Sequence, residues 1–263
     1  MDIKQLFADG DLTAAIAGVT QQVKSRPTDL SARTLLFELL CFAGELDRAE
    51  KQLDAIAQLD EKSEWAVQVY RNLIAAERKR RRLFSEGLKP EALLDWPPYV
   101  RLHLEAINRL REGHPDEARA ALDEAEDMYP AVTGSADGRT FDDLRDCDDL
   151  LSPVLELMVL QDYLWLPLEQ VRSLEITAPE RPRDLLWIPV RLTLTDGAER
   201  SGYMPVRYHG SHEHADDQVK LGRLTDWSAE PGGPTTGQGM RTLLVGDEAL
   251  GLLEMRNVSI VQE

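Results

Sequence analysis

Three histidines, His209, His212 and His214, form the densest group of potential metal ligands in the chain. Imidazoles at this spacing can bind one ion from an extended loop. No cysteine pair or second histidine cluster accompanies them, and the Ala-Asp-Asp sequence that follows is typical of a solvated loop. We therefore expect a mobile, exposed loop here and no bound metal.

A group of aspartates lies between residues 142 and 149 and includes Asp146 and Asp148. Paired carboxylates can act as acid and base or bind Ca²⁺, but the spacing lacks the central glycine and distal glutamate of an EF-hand loop. Structural roles are favoured, such as capping the segment that begins at Pro153 or pairing with an arginine. The alternative function is a hydrolase or metal-dependent enzyme that uses Asp146 and Asp148, or the three histidines.

A glycine pair, Gly237 and Gly239, resembles the start of a dinucleotide-binding loop. It precedes a strand-like run instead of a helix and lacks the third glycine, so the structural context of that motif is missing. The chain also contains no G-x-S-x-G elbow, phosphate-binding loop or H-E-x-x-H motif. We therefore predict a protein that is not an enzyme and needs no cofactor.

The charge balance of the 263 residues narrows the possible partners. Lys and Arg total 30 against 47 Asp and Glu, which gives a net charge of −17. Such a chain is repelled by nucleic-acid phosphates and anionic lipids. No signal peptide or membrane-spanning run is visible, and Cys41 and Cys147 lie far apart. We expect a soluble cytoplasmic protein that neither binds nucleic acid nor inserts into membranes.

The first half of the chain contains a repeat. A G-[DE]-L-x-x-A pattern begins at Gly10 and again at Gly44, 34 residues later, and a weaker copy begins at Gly113. Thirty-four residues is the tetratricopeptide period, in which two helices form each hairpin. We predict an all-α, tetratricopeptide-like domain over residues 1–130 with turns at these glycines. An irregular helical bundle is the alternative.

Five basic residues, Arg78 to Arg82, interrupt this acidic chain. Five consecutive charges sweep more than one helical turn, so some must point inward or toward an acidic neighbour. The simplest interpretation is the solvated face of a long helix. The functional alternative is a docking point for an acidic segment of a partner protein.

Beyond residue 131 the sequence changes to short apolar runs separated by Gly and Pro. Residues 153–160 are predicted as a short buried helix that begins with a proline. Strands are predicted at residues 163–166, 171–176, 185–194, 202–208, 240–244 and 250–260, with a hairpin turn at Asp196-Gly197. These spacings predict a smaller α+β domain over residues 131–263, with an antiparallel sheet or partly closed barrel.

Short motifs also occur in a fixed order along both halves. The first half has Leu36-Phe37-Glu38-Leu39-Leu40-Cys41, Gly44-Glu45-Leu46-Asp47-Arg48-Ala49, Tyr70-Arg71, Ala76-Glu77, Arg80 and Phe84. The second half has Phe141, Asp146, Asp148, Pro153, Leu155, Glu156, Tyr163, Trp165, Pro167, Arg183, Asp184, Leu185, Trp187, Pro189, Pro205, Arg207, Tyr208, Gly210, Ser211, Thr225, Trp227, Gly237 and Arg241. In this order they resemble the ImpE/TagJ (SciE-type) family, accessory proteins of bacterial type VI secretion systems.

The resemblance implies a helical repeat domain followed by a smaller α+β domain, an accessory role without enzymatic activity, and the small subunit of the contractile sheath as partner. The chain departs from the family pattern at two places. Residues 149–153 lack an arginine that the family has before the proline, and His209 replaces a proline. The second departure makes the histidine cluster peculiar to this chain.

Helical repeats present grooves that accept an amphipathic helix, and the sheath subunit would supply one as a terminal segment. We predict that the partner contacts one face of the long helix that begins near Trp65. The predicted partner-binding residues are Tyr70, Arg71, Ile74, Glu77 and Arg80. Two tryptophans of the second half, Trp165 and Trp187, lie in apolar strand-like runs and are expected to be buried core anchors.

Overall fold

The computed structural model describes residues 9–261 and begins with helical hairpins. Gly10, Gly44 and Gly113 all adopt positive φ, at 84°, 76° and 81°, so each predicted turn is confirmed as a left-handed glycine turn. The helices of the first half are α1 (Leu12–Ser25), α2 (Leu30–Phe42), α3 (Leu46–Leu59), α4 (Glu64–Glu86), α5 (Tyr99–Arg111) and α6 (Pro115–Glu126). None of the helices in residues 9–261 is long and apolar enough to cross a membrane.

Local sequence sets where these helices begin and end. Asp11 accepts a hydrogen bond from the backbone N–H of Ala14 at 2.8 Å, and Asp29 accepts one from Ala32 at 2.9 Å. These carboxylates satisfy N–H groups that the first turns of α1 and α2 leave without helical partners. Helix α4 ends at Gly87, whose φ of 76° closes the last turn in the left-handed conformation.

The second half is dominated by antiparallel strands. The strands are β1 (Gly134–Ala136), β2 (Arg139–Phe141), β3 (Leu144–Asp146), β4 (Val154–Val159), β5 (Asp162–Pro167), β6 (Val171–Ile176), β7 (Trp187–Leu194), β8 (Glu199–Pro205), β9 (Thr225–Ala229), β10 (Thr235–Gly239), β11 (Thr242–Val245), β12 (Glu248–Gly251) and β13 (Asn257–Ile260). One sheet has eight strands in the order β2-β1-β13-β6-β7-β8-β4-β5, a second has the order β12-β11-β3, and β9 pairs with β10. A short helix, α7 (Asp217–Lys220), precedes β9.

One expectation for this half is corrected, and one of two alternatives is excluded. The predicted helix at residues 153–160 is the strand β4, which is buried on both faces because α4 covers one of them. Periodicity alone does not separate a short, fully buried strand from a buried helix. The predicted antiparallel sheet is confirmed, and since β2 and β5 lie at its edges it is open, so the described residues do not form the barrel that was its alternative.

The helical half and the sheet share their hydrophobic cores. Met158 and Trp187 pack into the core of the first hairpins, and Trp165 packs into the core of α5 and α6. Trp165 and Trp187 are 0% and 4% exposed, so the predicted burial of both indoles is confirmed. The change in sequence pattern at residue 131 falls between the end of α6 and the start of β1. The division into residues 1–130 and 131–263 remains a proposal about folding units.

Arg207, which follows β8, ties the two halves together at the end of α2. Its guanidinium donates hydrogen bonds to the carbonyls of Phe42 at 3.1 Å and Cys41 at 3.4 Å, and also to the carbonyl of Lys220. It lies 5.0 Å from the centre of the Phe42 ring. The last carbonyls of a helix have no helical partner and carry its negative dipole end. Arg207 therefore caps α2 from the other half of the chain.

Candidate functional site

The predicted partner-binding face of α4 is already occupied. Ile74 is 0% exposed and lies in the core of the first hairpins. Tyr70 is half-buried, with its ring 5.3 Å from that of Phe37 and the Arg183 guanidinium 4.6 Å from its centre. The expected open groove at Tyr70 and Ile74 is thus corrected, because α2 and the loop before β7 cover this face.

The charged residues of the predicted face also have partners within the chain. Arg71 pairs with Asp54 at 2.6 Å. Glu77 lies 3.6 Å from both Arg80 and Arg81. Arg80, expected to orient a partner, is only 3% exposed. Of the five predicted residues, the structure brings Glu77 and Arg80 together and directs the others toward different neighbours.

Arg80 enters a buried charge network between α4 and the sheet. Its guanidinium donates to both carboxylate oxygens of Glu156 on β4, at 2.6 and 2.9 Å. Glu156 also accepts from the Tyr163 hydroxyl at 2.5 Å and lies 3.1 Å from Arg241. Burial alone would raise the pKa of Glu156, but the positive charges of Arg80 and Arg241 outweigh it and lower that pKa to about 2. The carboxylate is therefore ionised and locks α4 onto the sheet.

Asp146 and Asp148 extend this network and hold the backbone. Asp146 accepts from Arg241 at 2.5 Å and from the Tyr208 hydroxyl at 2.7 Å. The two oxygens of Asp148 accept from the backbone N–H groups of Leu150 and Gly237, each at 2.9 Å. Burial, reinforced by the neighbouring Asp146, raises the pKa of Asp148 to about 8. These contacts fix the turn before β4 and the strand β10, which are structural tasks.

The histidine loop differs from its expected mobile, exposed state, because each imidazole packs against a different neighbour. His209 stacks on Phe84 with ring centres 4.1 Å apart, and His214 lies 3.2 Å from Asp226. The His212 ring occupies the space where a Cβ at Gly44 would lie. Burial lowers the pKa of His209 to about 3 and that of His212 to about 4. Residues 9–261 contain no group of three His, Cys, Asp or Glu residues placed to hold a metal ion.

The basic run at residues 78–82 is neutralised within the chain. Because successive residues of a helix are about 100° apart, the five side chains point to different partners. The contacts are Arg78 with Asp47 and Glu50, Lys79 with Asp162, Arg80 with Glu156, Arg81 with the carbonyl of Gly44, and Arg82 with Glu86. These pairings leave little free charge for the acidic partner segment considered above.

Glu38, at the same junction of helix and sheet, gives a pH-dependent prediction. It is 5% exposed, and burial raises its pKa from 4.5 to about 7, although Arg183 at 4.0 Å opposes the shift. The folded state therefore retains a proton that the unfolded state has lost, and stability falls as the pH rises from 4.5 through 7. Glu38→Gln should abolish this loss. Relative to wild type, the variant should gain about 2–3 kcal/mol between pH 5 and pH 8 in urea unfolding. If the free energy of unfolding of the variant differed from that of the wild type by the same amount at pH 5 and at pH 8, the prediction would be wrong.

An apolar groove lies on another side of α4. Trp65, Val69 and Leu73 form one wall at four-residue spacing along the helix, and Leu160 and Tyr203 belong to the facing sheet. The groove encloses about 400 Å³. We call it the junction groove. Its floor consists of Met158 and Val159 of β4, Val190 of β7 and Gly202 of β8, and its polar rim includes the ion pair of Glu175 and Arg191 at 2.9 Å.

Two rim residues of the junction groove are unusual. Trp65 is 79% exposed and Leu160 is 73% exposed, which makes them the most exposed large apolar side chains of the described residues. Leu160 also has a φ of 53°, in the left-handed region that leucine rarely adopts. Neither backbone strain nor an exposed apolar side chain stabilises the free protein. Both at one residue therefore indicate a functional role for Leu160. The sequence signal for Trp65 is an indole directly after the polar run Glu61–Glu64.

The fold and this site define a helical-repeat protein with an attached sheet domain and an apolar groove between the two. Residues 138–259 match the family model described as ImpE protein, and residues 6–74 match a tetratricopeptide-repeat model. The chain is 37% identical over 227 residues to the "Type VI secretion system accessory component TagJ" of Pseudomonas aeruginosa, covering 86% of this chain and 81% of that protein. The chain therefore belongs to the ImpE/TagJ family of type VI secretion accessory proteins.

A solved structure supports the same assignment of fold. The crystal structure of protein VPA1032 from Vibrio parahaemolyticus superposes with a TM-score of 0.92 at 25% sequence identity. The match covers 100% of this chain and 98% of that one. The arrangement of helices and sheet in residues 9–261 is thus shared with that structure.

Proposed function

We propose that this protein is a non-enzymatic, cytoplasmic accessory component of a bacterial type VI secretion system that binds the small subunit of the contractile sheath. The relative's printed role and the helical repeat support an adaptor that binds protein. The structural contacts made by Asp146, Asp148 and the three histidines favour this role over the hydrolase or metalloenzyme alternative.

The junction groove carries the proposal for where the partner binds. Trp65, Val69 and Leu73 recur every four residues along one side of α4, so exposure falls from Trp65, which is exposed, through the half-buried Val69 to Leu73, which is buried at the base of the groove. A partner helix with apolar residues at i, i+3 or i+4, and i+7 would place them between this wall and Leu160. The large exposed indole and the leucine on the opposite rim are the side chains that such a helix would cover. Aromatic anchors of this kind contribute most of the affinity in protein interfaces.

The five residues predicted on the neighbouring face of α4 would then support the junction groove without contacting the partner. Tyr70, Ile74 and Arg80 pack against α2, the loop before β7, and the sheet, while Arg71 and Glu77 pair within the helical half. We propose that they hold α4 in position so that Trp65 and Leu73 keep their spacing relative to Leu160. Their replacement would weaken partner binding through a shift of the helix.

The test is titration of a peptide, taken from the terminal helix of the sheath small subunit of the same secretion cluster, into the full chain. Trp65→Ala and Leu160→Gly should each weaken binding by about 10- to 30-fold, since each removes an interface anchor. Neither should lower the melting temperature appreciably. The indole is exposed, and glycine relieves the positive φ at residue 160 while raising chain entropy in the unfolded state.

Met128→Ala provides the matched control, because Met128 is also exposed, at 44%, but follows α6 and does not line the junction groove. It should bind the peptide as wild type does. Wild-type affinity in both groove variants would move the binding site elsewhere on the protein. No binding by the wild-type chain would reject the sheath subunit's terminal helix as the partner.

A further inference from the structure

A second groove, on α5, gathers positive charge in this acidic protein. Its lining includes Lys89 from the segment after α4, and Arg101 and Arg111 from opposite ends of α5. Leu104, which is buried, and the half-buried Asn108 lie between the two arginines on the same face of the helix. The groove encloses about 430 Å³. We call it the cationic groove.

The cations of this groove are not neutralised as those of the 78–82 run are. Within residues 9–261, Arg109 on the rim pairs with Glu105, Glu112 and Glu117, but Lys89, Arg101 and Arg111 form no ion pair with a carboxylate. All three of these cations are exposed. The chain as a whole has a net charge of −17, so a groove with three cations that lack carboxylate partners is a locally positive region on a negative protein.

The turn at Gly87 sets one end of the groove. A Cβ at this position would lie 2.7 Å from both the Arg111 guanidinium and Asn108 Oδ1, so only glycine permits the contact. Asn108 Oδ1 is buried and has no hydrogen-bond partner among the described residues. Asn108 therefore packs beneath the Gly87 turn, beside the end of the Arg111 side chain.

We propose that the cationic groove binds an acidic, extended segment of a partner protein. Arg101 and Arg111 are ten residues apart on α5, so their backbones lie about 15 Å apart along the axis. An extended chain covers that distance in about four to five residues. The segment would carry acidic residues at both ends of such a span, with an apolar side chain between them near Leu104.

Protein is the favoured occupant over nucleic acid. A phosphate backbone carries charge along its whole length and would meet Glu105 and Glu112 on the rim, as well as the acidic surface beyond. A short peptide can place its charges at the ends of the groove alone. This surface is separate from the junction groove, since the two share no lining residue.

The experiment follows the fluorescence anisotropy of two labelled peptides with the full chain at low ionic strength. Both have the same composition, with acidic pairs and one leucine. One places the pairs about four residues apart, and its isomer has contiguous acids. The spaced peptide should bind more tightly than the isomer. A variant with both Lys89→Glu and Arg101→Glu should weaken its binding by about tenfold or more, because charge reversal replaces attraction with repulsion.

The control variant carries Arg172→Glu and Arg200→Glu, which change the net charge equally at two exposed cations elsewhere on the protein that have no carboxylate partner within residues 9–261. It should retain the affinity of the wild type. Equal losses in the two variants would show attraction to overall charge only and overturn the proposal. So would the absence of any anisotropy change with the spaced peptide, or stronger, variant-sensitive binding of a single-stranded oligonucleotide.

Discussion

Glu156→Gln should lower the free energy of unfolding by about 3–5 kcal/mol, the loss typical of breaking a buried ion pair by removing one partner. Glu156 is 0% exposed and compensates two buried guanidiniums, those of Arg80 and Arg241. Glutamine keeps the size of the side chain but removes the negative charge. Both arginines would then be buried with less negative charge beside them. Arg80 would keep only the more distant carboxylate of Glu77. Urea unfolding measures the loss.

The matched control for this variant is Glu175→Gln, which breaks the ion pair with Arg191 on the surface of the sheet. Those side chains are 57% and 64% exposed, and such exposed pairs contribute little. The control should therefore change stability by less than about 1 kcal/mol. If Glu156→Gln were as mild as its control, the network would not be what joins α4 to the sheet.

Trp165→Ala should lower the free energy of unfolding by about 3–5 kcal/mol as well, through a cavity in the core shared by α5, α6 and the sheet. Trp165 is 0% exposed, and its indole N–H donates to the Tyr163 hydroxyl at 2.7 Å. Alanine removes both the packing and this hydrogen bond. The measurement is again urea unfolding, with Trp65→Ala as the contrasting variant of the same chemistry.

Trp65→Ala should leave the stability nearly unchanged, because that indole is 79% exposed. The two tryptophan variants thus separate two roles of one residue type. A large loss in Trp65→Ala would show that the indole is packed in solution and would remove it from the junction groove's rim. A small loss in Trp165→Ala would contradict the shared core.

The local rules of the chain made much of the fold predictable. Gly10, Gly44 and Gly113 stand at the turns because a tight reversal between helices needs positive φ, which glycine adopts without strain. Asp196-Gly197 likewise joins β7 and β8 as a hairpin. These features depend on neighbours along the chain, so the sequence contains them. The segment 153–160 does not, because its strand conformation depends on pairing with β5 and on coverage by α4.

The candidate site was harder to predict because burial and pairing are tertiary properties. The face of Tyr70 and Ile74 is as amphipathic as any partner-binding face, and only the fold shows that the chain itself covers it. His209 likewise looked solvated beside acidic residues, yet it stacks on Phe84 from a distant helix. Trp65 and Leu160 line one groove although they lie far apart in sequence, and no local pattern joins them.

The capping of α2 by Arg207 has a consequence for synthesis on the ribosome. Arg207 lies 165 residues after Phe42, whose carbonyl it binds, so α2 emerges roughly 10–30 s before its cap at bacterial translation speeds. Arg80 likewise cannot form its ion pair until Glu156, which lies 76 residues further on, has been synthesised. The helical repeats therefore have no complete native state of their own while the chain is growing. The cap on α2 forms only after β8, the strand that leads to Arg207, has left the ribosomal exit tunnel.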